Sequence, residues 1–147
     1  MRIYLDNCSF NRPFDDQQHI RIRLESEAKL YLQGLIMAGS LELVWSYMLE
    51  MENNQNPFKE KRVAVERWTR FAAVDIDESQ GIIARAKQLV AIGVKPKDAL
   101  HVASAIEGKA DYFVTTDDKL LKKLINTADI VAINPINLAG IIDERSY

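Results

Sequence analysis

Short apolar runs alternate with helix-patterned stretches along the whole chain, and no other feature restricts the fold as strongly. The runs RIYL (2–5), LELVW (41–45), AAVDI (72–76), DYFVT (111–115) and DIVAI (129–133) read as strands. The first stretch between them, 15–39, places Ile20, Leu24, Ala28, Tyr31 and Leu35 at three- and four-residue intervals, a helical stripe. Asp16 is its expected N-cap and Gly39 its stop. Arg21 with Glu25, and Arg23 with Glu27, are spaced as pairs on a solvent face.

Further helices are expected over 46–53, capped by Ser46, and over 56–71, with Asn56 as cap and Pro57 at the first helical position. A helix capped by Asp77 and closed by Gly93 comes next, then one from Pro96 to Gly108, one over 117–126 and a last one over 135–144. Strands alternating with helices imply a parallel sheet covered on both faces. At 147 residues the chain reads as one α/β domain, 1–147, with a proper core.

Composition sets limits on function. The formal charge of −2 offers no global attraction for nucleic acid, so a polyanion needs local patches or metal ions. Cys8 is the only cysteine, which excludes an internal disulfide and fits a reducing compartment. No run approaches the roughly 20 apolar residues of a membrane helix. Asp6 interrupts the first apolar run, so the start is not read as a leader, and a cytoplasmic, membrane-free protein is expected.

In parallel sheets, functional groups gather beyond the carboxyl ends of the strands. The first strand ends at Asp6 and the second leads into a helix carrying Glu50; the fourth ends at Asp117 and Asp118, and Asp98 lies in the first turn of the preceding helix. Singly, each has an ordinary explanation: a turn cap, a helix-dipole partner or a solvated acid. Together they would repel one another unless a proton or a cation intervened. Carboxylate oxygens suit Mg2+ or Mn2+, and no cysteine pair or histidine spacing suggests zinc. Carboxylates that hold one or two such ions, ~4 Å apart, serve in-line attack of water on a phosphodiester.

Four segments carry a family resemblance: IYLDNCSFNRPFDD, WSYMLE, KPKDALHVASA and YFVTTDDKLL. In order and spacing they resemble the PIN-domain family, particularly the toxin ribonucleases of the VapC type. The resemblance implies a parallel sheet of strand order 3-2-1-4-5 flanked by helices in three layers. It implies metal ligation by Asp6 and Asp98, with Glu50 and Asp117 completing the acidic set, and Thr115 shaping the site. It further implies an RNA substrate, a cognate antitoxin and a homodimer. Asn7 stands where the family more often has Ser or Thr, and an amide retains the hydrogen bonding. Asp118 is an additional acid, and the 7–16 loop is longer than usual.

Arg12, Arg21, Lys95 and Lys97 are candidate RNA contacts, as are His19 and Arg23. Lys59, Lys61, Arg62, Arg67 and Arg70 make the 57–71 helix basic, which reads first as a solvated face. Cys8 and His101 read as packed, structural residues, and Trp45 and Trp68 as core. Tyr47 and Met48 fit either core or a dimer surface. The competing functions are a non-toxin PIN nuclease of RNA maturation and a non-catalytic acidic α/β regulatory module. A receiver-like module would need its acceptor aspartate on a central third strand, a role for which the chain offers Asp75.

Overall fold

A computed structural model describes residues 1–145; the last two residues of the expected domain lie outside them. Five strands, β1 (Arg2–Leu5), β2 (Glu42–Ser46), β3 (Ala72–Ile76), β4 (Tyr112–Val114) and β5 (Val131–Ile133), form one sheet. Its order is β3-β2-β1-β4-β5 and every pairing is parallel. The central strand β1 pairs Tyr4 with Val44 on one side and with Phe113 on the other. Ile3, Tyr4 and Leu5 are fully buried, as the middle strand of a doubly covered sheet requires.

The helices are α1 (Asn7–Asn11), α2 (Ile20–Met37), α3 (Tyr47–Asn54), α4 (Lys59–Glu66), α5 (Gln80–Ala91), α6 (Pro96–Glu107), α7 (Asp118–Lys123) and α8 (Pro135–Arg145). Helix α5 packs on α6, and α2 packs on α8. Gly108, just past α6, lies so close to the sheet that a Cβ there would meet Val44 Cγ1 at 2.7 Å. Gly39 closes α2 at φ +80° and Gly93 follows α5 at φ +99°, backbone that side chains disfavour.

The caps differ from expectation in three places. Helix α2 begins at Ile20, because the Asp16 carboxylate is occupied by the Gln18 amide in the preceding turn. Ser79, rather than Asp77, caps α5 by accepting from the Ile82 amide. Asn56 accepts from the Phe58 amide in a turn, so Pro57 stays outside α4, which starts at Lys59. The segment after β1 is not an open loop: α1 and a tight 3-10 turn, Arg12–Phe14, occupy most of it.

The expected stripe on α2 is only partly inward. Ile20, Leu24 and Tyr31 are exposed, Ala28 is buried and Leu35 packs on the core, and Glu25, Lys29, Leu32, Gln33 and Ile36 also face inward. Glu25 is fully buried and meets Arg12 at 3.1 Å, Arg21 at 3.4 Å and the Asn134 amide at 2.6 Å. A buried acid with several partners replaces the solvent-face pair. Trp45 and Met48 are core; Tyr47 and Trp68 are partly buried against it. Among the described residues no helix is long and apolar enough to cross a membrane.

Candidate active site

Asp6 follows β1 directly and caps α1, so the fold requires an acid or a small polar residue there. Its Oδ1 accepts from the Ser9 amide at 2.8 Å and its Oδ2 from the Thr115 hydroxyl at 2.5 Å. Thr115 in turn accepts from the Asp117 amide at 3.2 Å. One hydroxyl thus ties the end of β1 to the turn after β4. Asp117 caps α7 through Oδ1, which accepts from the amides of Lys119 and Leu120.

Asp98 sits in the first turn of α6, behind Pro96 and the exposed Lys95. Burial first, then the charges of Asp117 and Glu52, raise its carboxyl above the ordinary value. Burial likewise raises Asp6, against the hydrogen bonds from Thr115 and Ser9. Acids from β1, α3, α6 and the turn before α7 therefore lie close enough to disturb one another, at the carboxyl edge of the sheet. Cys8 registers the same field. Crowding by surrounding protein, then Asp6, Asp117, Glu52 and Asp98, push its thiol up to about 12, so it is no nucleophile at neutral pH.

The acid that α3 contributes is Glu52. Residues two apart on a helix point roughly 200° from each other, so Glu50 and Glu52 cannot both face the site. Glu50 is exposed, while Glu52 is half-buried and accepts from His101 Nε2 at 2.7 Å and from Asn7. Burial works to raise Glu52, but the hydrogen bond and electrostatic attraction of His101, then Lys97 and the Asn7 hydrogen bond, outweigh it and hold the carboxyl below its ordinary value. The S-x-x-x-E spacing in WSYMLE favours Glu50; the signal for Glu52 is its place one turn after the apolar Met48, on the helical face that is buried.

The cations divide into two groups. Arg12 is engaged with Glu25 and Asp15, and Arg21 makes a two-pronged pair with Asp118, both contacts 2.6 Å. Asp118 is exposed and points to that partner. Lys95 and Lys97 are exposed, make no ion pair among the described residues, and flank Asp98 and Glu52. Beside the acids, a hollow of about 250 Å³ is lined by Asn7, Cys8, Asn11, Arg12, Asp15 and Thr116.

An all-carboxylate donor set, in which the charges of Asp117 and Glu52 help to raise Asp98, fits a hard divalent cation. Among the described residues no three His, Cys, Asp or Glu side chains stand in a ready-made ligating group. Magnesium asks for less, since it is commonly held by one or two carboxylates with water filling its octahedron. A receiver-like reading fails on topology: β3 is an edge strand and Asp75 lies on its exposed face.

Fold and site together define a class: a parallel α/β domain with its acids gathered at the carboxyl edge of the sheet. The PIN domain family model matches residues 3–126, and the chain belongs to that family of nucleases, which generally use divalent metal. None of the curated proteins compared with the chain matches it. Among solved structures it is similar to FitAcB from Neisseria gonorrhoeae, at 17% identity and a TM-score of 0.57, over 90% of this chain and 97% of that one. It is also similar to VapBC2 from Rickettsia felis, bound to a DNA fragment from their promoter. That likeness has 14% identity and a TM-score of 0.58, over 91% of this chain and 98% of the other. At such identities the likeness establishes the fold.

Proposed function

We propose that this protein is a Mg2+- or Mn2+-dependent endoribonuclease and the toxin of a toxin–antitoxin pair, acting in the cytoplasm as a homodimer that a cognate antitoxin silences. The convergence of Asp6, Glu52, Asp98 and Asp117 from four separate segments carries the reading. Membership of a nuclease family and likeness to the FitAcB and VapBC2 structures support it.

In this reading Asp6, Asp98, Glu52 and Asp117 hold the ion directly or through water, Glu52 taking the place that the motif order suggested for Glu50. The ion, when bound, makes hydroxide available near neutral pH and neutralises charge that develops on the phosphate. The protein's own groups do the rest. Thr115 and Ser9 fix both oxygens of Asp6, so that its remaining lone pairs point in set directions. Asn7 donates to Glu52 while its carbonyl oxygen accepts from Asn11 at 3.0 Å, which fixes the amide. Asp117 keeps Oδ2 outside its capping bonds, available to orient a water. Lys95 and Lys97 flank the acids and would meet phosphates of the RNA; Arg12 and Arg21 are committed to acidic partners and contribute framework instead.

The test is incubation of the purified protein with mixed cellular RNA, with and without Mg2+ or Mn2+. Cleavage is expected only with the ion, and not in Asp98→Asn. RNA left intact under all conditions would contradict the ribonuclease assignment.

A further inference from the structure

Behind Glu52 runs a buried chain of hydrogen bonds that the capture of an ion does not by itself explain. His101 joins Glu52 at 2.7 Å through Nε2 and the Tyr4 hydroxyl at 2.6 Å through Nδ1; Tyr4 joins Ser46 Oγ at 2.6 Å. Ser46 also accepts from the Leu49 amide, as the N-cap of α3. Tyr4 and Ser46 are fully buried and His101 nearly so. The chain crosses from α6 through the central strand to the end of β2 and returns to the helix that carries Glu52.

The His101 ring is therefore held at both nitrogens, by the Glu52 carboxylate on one side and the Tyr4 hydroxyl on the other. Ser46 holds the Tyr4 hydroxyl in turn, so every polar group of the chain has a buried partner.

We infer that the Ser46–Tyr4 hydroxyl pair fixes the His101 ring, and that His101 is thereby the positioning residue that aims the Glu52 carboxylate at the metal and RNA site. Asn7 supports the same carboxylate. The consequence for RNA cleavage rests on the nuclease reading; the positioning of Glu52 does not.

Tyr4→Phe is the discriminating variant, because it removes only the hydroxyl and keeps the ring stacked on Phe113, 5.4 Å between centroids. Tyr4→Phe should weaken Mn2+ binding by the folded protein, because the His101 ring loses the tether on Nδ1. Mn2+ affinity, measured calorimetrically, should fall about 10- to 100-fold in His101→Leu, the range typical of lost outer-shell support. His101→Gln, whose amide can still donate to Glu52, should recover part of it. RNA cleavage should follow in kcat, with KM little changed. A folded His101→Leu that binds Mn2+ as the wild type does would overturn the inference, and so would a folded Tyr4→Phe with unchanged Mn2+ affinity. The expected Mn2+ pattern with RNA left intact by the wild type would sink the ribonuclease reading alone.

Discussion

Lys29 is buried on α2 with no carboxylate bonded to it among the described residues. Its ammonium donates to the Phe10 carbonyl at 2.9 Å and lies 5.3 Å from the centre of the Phe10 ring. With its amide oxygen turned inward, Gln33 accepts from Lys29 and from the Trp68 indole, both at 2.8 Å. Burial lowers the Lys29 pKa to about 7. The unfolded chain, with an ordinary lysine near 10.4, therefore holds the proton more tightly. It follows that stability rises with pH from about 7 to about 10, and that below 7 the fold bears the whole cost of the buried cation. Urea unfolding at pH 6.5 and 9.5 should show this gain in the wild type, and Lys29→Met should lose most of it; equal gains in both would refute the account. Glu25 is the opposite case, a buried acid with partners on three sides. Glu25→Ala should cost about 3 kcal/mol, since it leaves the Arg12 Nε and the Asn134 amide without their carboxylate partner. Denaturant midpoints with unchanged slopes would measure it.

At the scale of elements, strand and helix order could be read from the sequence because each strand is a short apolar run between helix-length stretches. Sheet order came with the family resemblance and agrees with the structure. The inward face of α2 could not be read. Its interior mixes the polar Glu25, Lys29 and Gln33 with Ala28, Leu32 and Ile36, while Ile20 and Leu24 stand in solvent, so apolar periodicity alone misplaces the face. Leu24→Ser should accordingly change stability by no more than about 0.5 kcal/mol, as surface substitutions do. Leu32→Ala should cost about 2–5 kcal/mol, since Leu32 is fully buried in the core. The acid on α3 was missed for a related reason. Motif spacing counts residues along the chain, whereas a two-residue step on a helix reverses the face. Capping misled where two candidates stood close together, as at Asp77 and Ser79, because only geometry decides which oxygen reaches the free amides. Gly108 marks where α6 meets the sheet. Gly108→Ala should cost about 1–3 kcal/mol by overpacking against Val44 and Ile76, readable in thermal unfolding.

For the whole molecule, the sheet brings distant segments to one edge, and the acidic site exists only when β1, α3, α6 and the β4–α7 turn are all in place. Expression in cells should slow growth, and Asp6→Asn should relieve the slowing without loss of protein. Unimpeded growth with the intact protein would favour a nuclease that is not a toxin. Calorimetric titration of Mn2+ into the wild type and into Asp6→Asn, Asp98→Asn, Glu52→Gln and Glu50→Gln tests the acidic centre most directly. The first three substitutions should each weaken binding about tenfold or more, and Glu50→Gln should leave it within about twofold. Equal affinity in all five proteins would mean that these carboxylates do not form one metal site.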